Sequence, residues 1–225
     1  MTYKNYLLFL FIVLLFVSCK KNITPSQEIK HENNVTVTHL GHLSPKQLEV
    51  KKALDNYLKQ LSTFNTDMIV EMTYPRLFYV IDLDLYRQYI ASMMNSTDIK
   101  MNAYETNITK LSKVITFSNE TEFAQAEYLS TNTIHFLNDA MYSQDESMNY
   151  LYDALIHKYG ADSIHIDVKK RILTIKSIKK LLIIKEKETE WKFLGDNYKY
   201  RMLYPSFLPN EIYKIIEGGE NNETI

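Results

Sequence analysis

The chain has 225 residues, with 26 basic and 27 acidic side chains and a formal charge of −1. That balance excludes a general electrostatic pull toward nucleic acid, and a single cysteine excludes an internal disulfide framework. Hydrophobic residues make up 45% of the chain, enough apolar material for one core.

The run Leu7 to Val17 is 11 residues long and wholly apolar. A bilayer-spanning helix takes about 20 residues, so the run reads instead as the apolar stretch of a secretory signal. Lys4 and the amino terminus precede it; Ser18 and Cys19 follow. This resembles a bacterial lipoprotein signal, in which a small residue precedes the lipidated cysteine, with Phe16 standing where Leu is more usual. The resemblance implies loss of residues 1–18 and a lipid on Cys19 that holds the protein in the membrane. It further implies a cell-envelope location, and Lys20 after the cysteine implies an outer-membrane lipoprotein facing the periplasm. The alternative is a secreted protein with one free thiol.

Residues 19–43 then read as lipidated cysteine and tether. From Lys20 to Leu43 the chain is rich in Asn, Thr, Lys and Glu and has no aromatic residue, a composition that buries too little to order itself. The remainder, 44–225, reads as one domain.

Ser44, Pro45 and Gln47 form a helix start with a capping box. Val50, Leu54, Tyr57, Leu58 and Leu61 follow at helical spacing, predicting a helix to about Ser62 or Thr63. A short helix over "MIVEMTY" ends before Pro75. A third, about Asp84 to Met94, is expected to place Leu85, Tyr86, Tyr89, Ile90, Met93 and Met94 on one face. A fourth opens on Ser143 and Glu146 and stops at Gly160; its stripe of Met148, Leu151, Tyr152, Leu155, Ile156 and Tyr159 reads as core-facing.

Strands are predicted near Ile108–Phe117 and Glu122–Phe136, around the turn "SNET". Later ones run through Ile164, Ile166 and Val168, through Leu173 and Ile175, and over "WKFLGD". The eight basic residues between Lys169 and Lys187 read as the solvated side of this sheet. Helices followed by strands in hairpins argue for an α+β fold with an antiparallel sheet.

That order, with "ALDNYLKQLSTFNTDMIVEMTYPRLF", "KKLLIIKEKETEWKFLGD" and "LPNEI", resembles the NTF2-like (SnoaL-like, cystatin-like) superfamily. The resemblance spans about residues 44–216. It implies a cone: helices packed on a curved sheet, here with one extra helix, 143–159, inserted between strands. Asp67, Glu71, Tyr74, His135 and Trp191 are the residues expected to line it. His165 and Asp167 share a strand face that alternation turns toward water. None of these sits in an enzyme motif, so no catalytic residue is assigned. His39 and His42 are too few for zinc, which takes three or four ligands; no metal and no cofactor are expected. The expected function is a non-enzymatic binding module for a small apolar ligand or an envelope protein. An enzyme using acid–base groups in the cone and a structural homodimer with a filled core are the alternatives.

One outcome follows from the sequence alone. Cys19→Ala should move the protein from the membrane pellet to the soluble fraction. Persistence in washed membranes would show that the lipid is not the anchor.

Overall fold

A computed structural model describes residues 40–94, 96–138, 145–187 and 189–220. The expected signal, Cys19, the tether before Leu40, His39 and the Ser143 cap lie outside the described residues, as do the side chains of Met93 and Met94.

Ser44 caps helix α1 (Pro45–Thr63). Its Oγ accepts from the Gln47 N–H at 3.3 Å, and Gln47 Oε1 accepts from the Ser44 N–H at 3.0 Å. Val50, Leu54, Tyr57 and Leu58 form the buried stripe of α1. Asn65 caps the short α2 (Thr66–Met72), and a 3₁₀ turn spans Pro75–Tyr79. Helix α3 (Leu83–Met94) follows. Its packing corrects the expected stripe: Ile90 is buried, with Leu83, Tyr86 and Tyr89 against Ile69 and Val70, whereas Leu85 is 64% exposed. Leu85 alone of the described stripe residues turns outward; Leu83 takes its place beside Tyr86, Tyr89 and Ile90 against α2.

Six antiparallel strands make one curved, unclosed sheet: β1 (Ile99–Leu111), β2 (Ile115–Thr116), β3 (Glu122–Phe136), β4 (Ile164–Asp167), β5 (Ile172–Lys185) and β6 (Lys192–Gly195). The order is β1-β3-β5-β4, with β2 continuing the β1 edge beside β3 and β6 beside β5. The first strand begins nine residues earlier than predicted and stops before Phe117. Register shifts at Met101/Ala103 and Ile108/Lys110 break its alternation, so no clean period of two marks it in the sequence. Helix α4 (Asp145–Tyr159) stands between β3 and β4.

Alternation divides the sheet into two faces. Ala124, Ala126, Tyr128, Leu181, Ile183, Trp191 and Phe193 meet the α1 stripe on the first. Farther along the same face, Phe136 and Leu173 pack with Met148 and Leu155 of α4. The second face carries Phe123, Leu182, Ile184 and Leu194. It is covered at that end by a 3₁₀ segment, Tyr198–Ser206, and helix α5 (Asn210–Glu220) through Tyr204, Phe207, Ile212 and Ile216. This carboxy-terminal layer was not among the predicted elements. It is fixed by a fork of Arg201 on the buried Asp196, with Nε to Oδ1 at 3.0 Å and Nη2 to Oδ2 at 2.8 Å. The observed architecture is mixed α+β, helices first and a curved antiparallel sheet after them. No helix among the described residues is long and apolar enough to cross a membrane.

Trp191 ties the sheet to α1. It is 6% exposed within the first-face core, and its Nε1–H donates to Glu49 Oε1 at 2.8 Å. Trp191→Ala should therefore lower stability by about 3–5 kcal/mol, read as an earlier urea midpoint at unchanged slope. Trp191→Phe, which keeps most of the packing, should lose less.

Candidate functional site

The concavity begins with α1. One side of this helix buries its stripe; the adjacent side carries Lys51, Asp55, Lys59 and Ser62. Strand β1 lies alongside at the rim of the sheet. Between them runs a groove of 930 Å³, lined also by Leu43, Leu48, Leu58, Tyr104, Glu105, Asn107 and Ile108. Leu40 to Leu43, where the described chain begins, lie along it. The walls mix aliphatic surface with both signs of charge. Among the described residues only β3 pairs with β1, so the outer edge of this 13-residue strand offers free backbone N–H and C=O groups at the groove.

Behind the groove the first face is filled. Tyr57 stacks on Phe193 with centroids 4.4 Å apart and planes 5° from parallel. Phe64 meets Tyr104 edge-on at 6.0 Å. A polar belt then separates the two apolar clusters of that face. Register places Ser130 opposite Ser177, and Tyr128 opposite Lys179, with Asn132 beside Tyr104. Ser130 and Ser177 hydroxyls lie 3.0 Å apart, and those of Tyr104 and Tyr128 3.3 Å. Burial pushes both phenols up in pKa. Lys179 is 8% exposed, and burial first, then the nearby Lys158 ammonium, bring it down to about 7. Lys158, on α4, is lowered to about 8, chiefly by burial. Asn132 Oδ1 and the Tyr89 hydroxyl are buried without a hydrogen-bond partner, a state that in native proteins points to bound water or a bound group.

The sequence-predicted residues do not converge. Asp67 and Glu71 are exposed on α2. Tyr74 is buried, but in the second-face core, where its hydroxyl donates to Glu186 at 2.8 Å; burial and Glu186 raise its pKa. His135 takes the face opposite Phe136, away from α1. Of the five, Trp191 alone belongs to the α1 face. His165 is exposed and His42 lines the groove. Among the described residues no three His, Cys, Asp or Glu side chains gather as metal ligands.

The belt was missed although a signal for it exists. Stepping back by twos from the apolar Ile183 and Leu181 reaches Lys179 and Ser177; stepping on from Ala126 and Tyr128 reaches Ser130 and Asn132. Lys179 thereby corrects the reading of the whole basic stretch as solvated: Lys176 is exposed, and Lys179 is not. The groove has no such signal, since it joins α1 to β1 across a long sequence separation. Comparison with family models, curated proteins and solved structures gives no match.

The lowered Lys179 pKa sets a pH dependence. Between its native value near 7 and the unfolded value of 10.5, the unfolded chain binds a proton that the native chain does not. Stability then rises with pH. Wild type should gain about 2 kcal/mol on Lys179→Met between pH 7 and 9, measured by paired urea titrations. A difference that stays constant with pH would show that the ammonium is retained at its ordinary pKa.

Proposed function

We propose that this chain is a lipid-anchored, non-enzymatic binding module of a bacterial envelope, with an NTF2-like domain that takes an extended segment of a protein partner along the α1–β1 groove. The observation that carries the reading is the free outer edge of β1 beside a groove of 930 Å³. Strand addition obtains affinity from main-chain hydrogen bonds and specificity from pockets that take alternate side chains. The groove supplies both kinds of surface: backbone along Tyr104–Ile108, and aliphatic contacts from Leu43, Leu48 and Leu58. The anchor reading is supported by the apolar run Leu7–Val17 and by Cys19 as the sole cysteine. The dispersal of Asp67, Glu71, Tyr74 and His135 over separate surfaces favours binding over acid–base chemistry. A second reading, a small polar ligand in the belt, is favoured by the orphaned Asn132 Oδ1; a copurified small mass in native mass spectrometry would support it.

A photo-crosslinking amino acid at Asn107, in intact cells, should yield an adduct whose linked peptide comes from an extended segment of an envelope protein. Leu48→Arg, on the groove wall and 55% exposed, should abolish that adduct without lowering the melting temperature. Crosslinking at Asn107 no stronger than from the exposed Tyr150 would refute the groove as the site.

A further inference from the structure

The segment between α2 and α3 breaks the usual partition of side chains. Tyr79, Val80 and Ile81 are consecutive and exposed at 77%, 40% and 37%, and Leu85 follows in the first turn of α3 at 64%. Scattered exposed apolar residues need no explanation, but a run of this kind marks a surface that meets something apolar.

The tip is built rather than loose. The Val80 and Ile81 N–H groups both donate to the Leu77 carbonyl at 3.1 Å. Asp82 Oδ1 accepts from the Leu85 N–H at 2.8 Å, and the Asp82 carbonyl accepts from Tyr86 at 3.0 Å. These backbone donors are thus satisfied within the chain, the condition for placing a segment where water is scarce. At its base, Arg76 pairs with Glu186 at 2.8 Å, and Leu77 is buried in the second-face core.

We infer that Tyr79, Val80, Ile81 and Leu85 form a membrane-contact tip that inserts at the headgroup boundary of the bilayer carrying the protein. The inference rests on the proposed lipid anchor. The chain outside the structure supplies the argument for this occupant. Residues 1–39 contain the one bilayer-directed feature of the sequence, the Leu7–Val17 run and Cys19. From Lys20 to His39 the chain spans at most about 3.3–3.6 Å per residue, on the order of 70 Å. An anchored domain therefore never leaves the neighbourhood of the lipid, and a weak apolar contact is met at high effective concentration. The aromatic ring of Tyr79, with a polar hydroxyl end, suits the interface. Two ion pairs flank the tip, Arg76 with Glu186 and Arg87 3.9 Å from Asp84, and the exposed Asp82 leaves one negative charge beside it. With no net positive charge at the tip, contact is driven by apolar burial and does not need anionic lipid, and on zwitterionic phosphatidylcholine it is insensitive to salt.

The test uses the full lipidated chain reconstituted into phosphatidylcholine vesicles, with Tyr79→Trp read by fluorescence and the buried Trp191 of the wild type as the baseline. With bromine-labelled acyl chains, the added emission should be quenched relative to unlabelled vesicles, equally at low and high salt. Leu85→Trp should respond the same way, and Tyr150→Trp should not. A protein that floats with the vesicles but shows no more quenching at residue 79 than at 150 overturns the tip while leaving the anchor intact. A protein that does not float overturns the anchor, and the tip contact with it.

Discussion

The pairing of β3 with β5 is the constraint on which the rest of the molecule depends. It runs without interruption from Glu122↔Lys185 to His135↔Ile172. A slip of one residue would turn one strand's faces over relative to the other's. In β3 it would turn Ala124 and Ala126 away from α1 and present Gln125 and Glu127 in their place. Because the register holds over so long a stretch, one strand pair organises three environments. The α1 end and the α4 end of the first face are apolar, the middle is polar, and the second face is apolar only where the carboxy-terminal segment covers it.

The α1 contact is the next level of the hierarchy. Glu49 accepts from both Trp191 and Lys185, the latter at 3.0 Å, and these two bonds hold its carboxyl below the ordinary range. Lys185 also lies 5.5 Å from the Trp191 ring centroid. Lys46 pairs with Glu122 near the start of β3. These groups are partly solvated, so each pair contributes little alone. Their role is to set the azimuth of α1 on a sheet whose interior contacts, led by the Tyr57–Phe193 stack, supply the stabilisation. With that azimuth fixed, the polar side of α1 faces the rim strand, and the groove follows from the geometry of the two.

What the sequence made legible was local. The limits of β3 are the predicted ones, Glu122 to Phe136, because a turn precedes it and no register shift interrupts its pairing with β5. Helix α1 was legible for a similar reason: its cap and stripe are encoded within a few residues of each other. Strand β1 was not, because its two register shifts erase the period. The carboxy-terminal layer was not, because Tyr198–Ser206 is a 3₁₀ segment interrupted by Pro205 and held by the tertiary Asp196–Arg201 fork. Tyr74 and His135 lie away from the α1 face for a different reason. Tyr74 and His135 are apolar-adjacent and polar, as a lining residue would be, but the chain crosses the sheet edge at Thr73–Tyr74, where the Tyr74 N–H donates to Phe193. Residue type does not report which side of a sheet a crossing segment reaches.

The same physics explains why the proposed partner site lies at the rim rather than within the sheet's curve. An open strand edge invites unwanted pairing, and native proteins shorten or distort such edges. The two register shifts of β1 leave an unbroken stretch from Ala103 to Ile108, about 20 Å at the strand rise of 3.4 Å per residue. That is long enough for a short extended segment and too short to template an extended sheet. The flanking wall of α1 adds a second filter, since an incoming strand must place side chains against Leu48 and Leu58 while meeting Lys51 and Asp55. Edge protection and partner selection are, on this reading, the same structural feature: bulges set the length of the accessible edge, and α1 sets what can lie upon it.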